Sequence, residues 1–366
     1  MASIKFLTSQ NIYQISEIIK IQNFGNDNES QTLYFCKQWL ENQQIFRLFT
    51  SGSTGTPKAI DIRRSQMEAS AQATIQALNL EKNDTAFICL NTNFIAGKMM
   101  LVRALLLEMN ILVTDPSSNP LKNFDFTFKF AAFVPLQIQT ILEESPEKVE
   151  ILNQTKAIIL GGAEVNLILE KKLQIIKSPV FLTYGMTETV SHIALKRLNG
   201  QEKQSFFQIL PNVLISQNEN ECLEIQAPMT NFEKIQTNDR VKILDSKRFE
   251  WLGRIDNVIN SGGIKIQIEE LEQKINLLLV KNNFFHRIMI LGKSDEKLGQ
   301  KLILIIESKV FSQETEISFL ALLKKKLNKF EIPKQIFYLE KFAQTSTNKL
   351  DRKQVCLDII SKYQDK

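Results

Sequence analysis

Between about Ile45 and Leu182, short runs rich in β-branched and aromatic residues alternate with stretches of helical periodicity, and this alternation constrains the fold more than any other feature. Strands separated by helices pair in parallel, because each return to one sheet needs a crossover long enough to hold a helix. The expected strands are 46–50, 86–90, 111–114, 131–134, 157–160 and 180–183, with helices at 66–78, 95–109, 136–144 and 165–176. From about Leu223 to Leu252 the helical signal fades, and LEIQ, VKIL and FEWLG read as strands of a smaller β-rich subdomain. Beyond Gly253, apolar Ile268, Leu271, Ile275 and Leu278 repeat at helical spacing with Glu269, Glu270 and Glu272 off that stripe. RIMILG, LILIIE and QIFYL then read as strands, with a helix over 317–329. The expected fold is α/β: a large N-terminal domain, 1–254, of doubly wound, mostly parallel sheets plus the small β subdomain, then a small α+β domain, 255–366.

Several function classes fall away on composition. The 45 basic and 40 acidic residues are scattered, and the densest run, Lys324 to Lys326, lies in an amphipathic helical pattern, whereas a nucleic-acid binder concentrates its charge on one stripe. Cys36, Cys89, Cys222 and Cys356 show no paired spacing, and neither His192 nor His286 has a Cys or carboxylate at ligand spacing. Neither a disulfide framework nor a zinc site is expected, and the thiols read as buried packing residues. The first residues lack a basic flank followed by an apolar core, and no run reaches membrane-spanning length, so the expectation is a cytoplasmic protein with no membrane insertion.

The segment Thr50-Ser51-Gly52-Ser53-Thr54-Gly55-Thr56-Pro57-Lys58 follows an expected strand. Glycine lets the backbone approach an anion, hydroxyls and amides donate, and lysine supplies charge, so the loop suits phosphate. It is not a Walker loop, since Gly52 and Gly55 are too close and Lys58 follows proline. It resembles the phosphate loop of the adenylate-forming superfamily of acyl-CoA ligases, adenylation domains and luciferases, and the resemblance recurs in order from about residue 45 to 355.

That resemblance implies a set of roles. Thr50, Ser51, Gly52, Ser53, Thr54, Gly55 and Lys58 would cradle the phosphates of ATP, and Gly161, Gly162 and Ala163 would lie beside adenine. In Tyr184-Gly185-Met186-Thr187-Glu188-Thr189, similar to the family's YGMTE, Tyr184, Gly185 and Thr187 belong to the nucleotide site and Glu188 would hold magnesium. Asp239 would accept from the ribose hydroxyls, although Asn238 stands where the family has glycine, and Arg254 joins the nucleotide set. Asp256 falls at the family's hinge, about which a mobile C-terminal domain rotates between half-reactions, and Gly262 and Gly263 would border the coenzyme A tunnel. Lys349, in a terminal motif lacking the family's proline and glycine, would be the catalytic lysine that bridges carboxylate and α-phosphate.

The phosphate loop stands far nearer the N-terminus than is usual in this superfamily, a compactness shared with some o-succinylbenzoate-CoA ligases of menaquinone synthesis. The segment from Asn93 to Arg103 resembles theirs, with a glycine, Gly97, six residues before Arg103. Its surroundings are apolar, so a charged Arg103 needs a partner, and a guanidinium fork suits a carboxylate. Arg103 is therefore expected to hold the aromatic carboxylate of o-succinylbenzoate, with Phe94, Gly97 and Thr189 as further pocket candidates. The alternative for Arg103 is a buried protein carboxylate as partner, or a side chain that snorkels to solvent. The expected reaction uses ATP, magnesium and coenzyme A to make an acyl-adenylate and then a thioester. Another acyl- or aryl-CoA ligase, a carrier-loading enzyme and a non-catalytic nucleotide binder stay open, as does a homodimer contact that would compensate for the short N-terminal region.

Overall fold

The computed structural model describes residues 2–49, 59–343 and 350–363. The chain opens with β1 (Ser3–Phe6), β2 (Ile12–Gln14) and α1 (Asn28–Leu40), whose first turn is capped by Asp27 accepting from the Ser30 amide at 2.9 Å. There follow β3 (Ile45–Phe49), β4 (Ala59–Arg63), α2 (Arg64–Ala77), β5 (Thr85–Ile88), α3 (Ile95–Leu106), β6 (Asn110–Val113), β7 (Phe130–Phe133), α4 (Pro135–Glu144), α5 (Val149–Leu152), β8 (Ala157–Leu160), α6 (Leu167–Lys172) and β9 (Val180–Gly185). Antiparallel strands β10 (His192–Arg197), β11 (Phe207–Ile209), β12 (Leu214–Gln217), β13 (Cys222–Gln226), β14 (Ile235–Asp245) and β15 (Arg248–Arg254) come next.

Strands β5 to β9 lie within two residues of the ranges expected for them and pair in parallel, with β1 added beside β6. Side-chain alternation covers both faces: along β5, Ala86 and Ile88 enter one core cluster and Phe87 and Cys89 the other. Helix α3 stops at Leu106 rather than 109, because Glu108 takes φ 54°, outside the helical region. The strand expected at 46–50 is no part of this sheet. As β3 it pairs antiparallel with β4, Phe49 opposite Ala59, since the intervening segment is too short for a parallel crossover. The β-rich segment is not separate either: β15 pairs β11 and β11 pairs β10, so all these strands join one 13-stranded sheet.

A second, 5-stranded sheet contains β16 (Val258–Ser261), β17 (Ile264–Gln267), β18 (Ile288–Asp295), β19 (Gly299–Glu307) and β20 (Gln335–Leu339). Helices α7 (Ile268–Lys281) and α8 (Gln313–Lys326) pack on one face, and α9 (Arg352–Tyr363) on the other. Glu272, off the apolar stripe of α7, is nonetheless buried: it accepts from the Ile290 amide at 2.7 Å and from Arg352 at 2.6 Å, which ties α7, β18 and α9 together. No described helix is long and apolar enough to cross a membrane.

Candidate active site

In the large sheet β6 lies on one side of β5 and β7 on the other, so the winding reverses there. A reversal of this kind opens a crevice at the carboxyl ends of the strands. A cavity of about 590 Å³ occupies it, bounded by Cys89 after β5, Val134 after β7, Gly161 and Gly162 after β8, and Gly185 at the end of β9. These glycines are demanded by the backbone. A Cβ on Gly161 would stand 2.7 Å from Thr183 Oγ1, Gly162 holds φ +84°, and a Cβ on Gly185 would stand 2.3 Å from the Ser191 carbonyl oxygen.

Helix α3 forms another wall and presents Phe94 and Arg103 to the cavity. Gly97 is not a lining residue: its Cα abuts the segment after β5, where a Cβ would meet Asn91 O at 2.5 Å. Arg103 is 1% exposed. Its Nη2 donates to Ser191 Oγ at 3.1 Å, its Nε has no hydrogen-bond partner, and it forms no ion pair, all among the described residues. Burial without a counter-charge pushes its guanidinium down to about 9, still protonated at neutral pH. The protein carboxylate that would have given Arg103 a structural role is absent from its described surroundings.

Opposite Arg103 the chain makes a γ-turn. Val190 takes φ 66° and ψ −55°, and the Ser191 amide donates to Thr189 O at 2.7 Å. Such a conformation in a β-branched residue costs about 1–3 kcal/mol and persists only where its surroundings hold it. Thr189 does so: its hydroxyl accepts from the Met186 amide at 3.0 Å and lies 2.8 Å from Ser191 O, so this side chain serves the turn and is no lining residue. The turn delivers Ser191 and His192 to the cavity wall. His192 is buried against Thr74 of α2, Nε2 to Oγ1 3.1 Å, and both burial and the nearby Arg103 charge push its imidazole far down, to the neutral form. Neither Ser191 nor His192 was singled out by sequence, because a Ser-His pair next to a motif carries no spacing signal.

Thr187 lines the cavity and Glu188 is exposed beside it. No cluster of three or more metal-ligating side chains is formed among the described residues. Tyr184, Asp239 and Arg254 gather together, none of them among the residues lining this cavity. Asp239 accepts from Tyr184 Oη at 2.6 Å and Trp251 Nε1 at 3.2 Å, and Arg254 approaches it at 3.9 Å. Each carboxylate oxygen keeps acceptor capacity for a further hydroxyl. Burial, then the Asp239 charge, raises the Tyr184 phenol well above its ordinary value.

Ala163 lies apart from the main cavity, in a cleft of about 360 Å³ shared with α7 and α9. Asp256 pairs with Arg254 at 2.8 Å in the turn between β15 and β16, and this pairing lowers its carboxyl. Gly262 and Gly263, at φ +61° and +81°, make the two-residue turn between β16 and β17 that demands positive φ at both positions. Thr50, Ser51, Gly52, Ser53, Thr54, Gly55 and Lys58, in the connection from β3 to β4, and Lys349 lie outside the described residues. The described residues on either side of 344–349 are tied, Asp351 N–H donating to Ala343 O at 3.0 Å.

Among solved structures, the chain is similar to an acyl-CoA synthetase (AMP-forming)/AMP-acid ligase II-like protein from Dyadobacter fermentans, at 38% identity, covering 95% of this chain and 99% of that one with a TM-score of 0.64. The o-succinylbenzoate coenzyme A synthetase of Bacillus subtilis, solved with ATP and magnesium ion, shares the fold at 22% identity, 85% and 69% coverage and a TM-score of 0.66. A 2-succinylbenzoate–CoA ligase from Haemophilus influenzae is 24% identical over 94% of this chain and 78% of its own length. The AMP-binding enzyme family model matches residues 12–222, more than half of the chain, and the protein belongs to that family.

Proposed function

We propose that the protein is an ATP-dependent acid–thiol ligase that converts o-succinylbenzoate to its coenzyme A thioester. The observation that carries the choice of acid is Arg103, a buried cation at the cavity wall whose Nε has no partner among the described residues. A guanidinium fork in that state calls for a ligand carboxylate. A dicarboxylic acid supplies one carboxylate to this anchor and keeps the other for activation.

In this reading residues 1–254 bind ATP and the acid, and 255–366 form a mobile domain. The loop Thr50–Lys58 holds phosphates, with Lys58 as a catalytic charge, and Gly161 and Gly162 flank adenine. Tyr184, Gly185, Thr187, Asp239 and Arg254 complete the nucleotide site. Magnesium at Glu188 would shield the polyphosphate. Lys349 would bridge the attacking carboxylate and the α-phosphate, lowering their repulsion as pyrophosphate leaves. Rotation about Asp256 would then withdraw Lys349 and admit the thiol past Gly262 and Gly263, so that sulfur attacks the acyl carbon and AMP departs. Positioning and relief of charge supply most of the catalysis.

Pyrophosphate release is measured with magnesium-ATP and o-succinylbenzoate, with and without coenzyme A, beside benzoate and fatty-acid controls, with the thioester read by mass spectrometry. Thioester from o-succinylbenzoate alone is expected. Pyrophosphate without thioester would assign a different acceptor, and silence with every acid would overturn the ligase reading.

A further inference from the structure

The wall behind Arg103 is a chain of hydrogen bonds with one self-consistent direction. Arginine only donates, so Ser191 Oγ accepts from Arg103 Nη2 at 3.1 Å. At the far end, Thr74 Oγ1 sits 3.0 Å from the Ser70 carbonyl, which can only accept, so the threonine hydrogen points there. Thr74 Oγ1 must then accept from His192 Nε2–H across 3.1 Å. A neutral imidazole protonated at Nε2 presents a lone pair at Nδ1, and Ser191 Oγ lies 3.4 Å from it, free to turn its hydrogen that way. In this arrangement each link has one donor and one acceptor, whereas the opposite tautomer would require Thr74 to turn its hydroxyl away from the Ser70 carbonyl.

We propose that His192 is a positioning residue of the carboxylate site: as a neutral Nε2–H imidazole it turns the Ser191 hydroxyl into an acceptor for Arg103, which fixes the guanidinium with its remaining donors available to a ligand carboxylate. The arrangement is built by three elements. Helix α2 supplies Ser70 and Thr74, α3 supplies Arg103, and the γ-turn at Val190 with the close approach of Gly185 seats Ser191 and His192. Arg103 is the charged group acting on His192 among the described residues; α2 and β9 face it with uncharged Ser70, Thr74 and Gly185. A second positive charge at His192 would therefore lie beside Arg103 with no anion to offset it, and an imidazolium would have no acceptor site for Ser191 to fill.

The kinetic part of the test rests on the ligase reading, and the spectroscopic part does not. In ¹⁵N-histidine-labelled protein, which has two histidines, the signal lost in His192→Asn is expected to report a neutral imidazole protonated at Nε2 from neutral pH down through the ordinary histidine range. An Nδ1–H tautomer, or an imidazolium at neutral pH, overturns the proposal. In turnover, His192→Phe, which keeps a ring and loses both nitrogens, is expected to raise KM for o-succinylbenzoate about 10-fold or more, with KM for ATP and kcat for the analogue lacking the aromatic carboxylate within about 2-fold. His192→Asn, whose amide oxygen can replace Nδ1 as acceptor, is expected to recover most of the loss. Equal weakening toward both acids, or no change toward either, overturns the proposal. If the unaltered protein turned over neither acid, the choice of o-succinylbenzoate as substrate would fail, and the imidazole spectrum would still decide the protonation state of His192.

Discussion

Arg103 shows how much one residue's energetics depend on its partners. A buried guanidinium is costly unless hydrogen-bonded and paired, and here the described protein supplies one hydroxyl acceptor and no carboxylate. Charge-assisted hydrogen bonds contribute about 1.5–3 kcal/mol each when the groups are desolvated. Arg103→Ala is therefore expected to lower kcat/KM for o-succinylbenzoate about 100-fold, close to 2.7 kcal/mol of transition-state stabilisation, while KM for ATP stays within about 2-fold. Arg103→Lys is expected to recover little, since an ammonium cannot reproduce a planar fork. Steady-state kinetics with each substrate varied in turn decides the matter, and an unchanged KM and kcat for the acid in Arg103→Ala would remove the anchor role.

At the scale of elements, glycines distinguish two kinds of constraint. Gly185 has no room for a side chain, because β9 passes directly behind the Ser191–His192 backbone. Gly263 has nothing within 4 Å of a Cβ, yet its φ of +81° strains any L side chain. Gly263→Ala is expected to cost about 1–2 kcal/mol from conformation alone and leave adenylation untouched. Gly185→Ala is expected to cost about 1–3 kcal/mol through displaced backbone, and also to impair use of the dicarboxylate by moving the Arg103 wall. Chemical denaturation beside pyrophosphate-release assays separates them, and equal effects of both substitutions on activity would refute the contrast. The sequence reading found most of these elements because long helical and strand periods are read locally. It misplaced β3, whose antiparallel pairing depends on the length of its connection, and it left Glu272 off the apolar stripe of α7 with no partner named. That residue is drawn inside by the Ile290 amide and Arg352, partners distant in sequence.

For the whole molecule, the joint between the two sheets is the short turn holding Ile255, Asp256 and Asn257. Its backbone bonds include Ile255 N to Asn238 O at 2.8 Å and Asn257 N to Arg254 O at 3.0 Å, and no bond from the Asp256 amide occurs among those of the described residues. Proline at 256 therefore removes no such bond but fixes φ near −65°. If rotation here separates the two half-reactions, Asp256→Pro is expected to retain acyl-adenylate formation within about 10-fold and to slow thioester formation by at least about 10-fold. Single-turnover measurement of each half-reaction tests this, and equal slowing of both would refute the hinge.

Local pattern was enough for the parallel α/β frame, because strand and helix periods depend on residues adjacent in the chain. Local pattern also pointed to Arg103, since a lone charge in an apolar helix must be compensated somewhere. Only the folded chain decided how. It withheld a protein carboxylate from Arg103, bent Val190 into a strained turn, and brought Ser191, His192 and Thr74 from two further elements into one hydrogen-bonded wall. Such assemblies leave no mark in sequence spacing, because hydrogen-bond direction is set by which donors and acceptors meet in space.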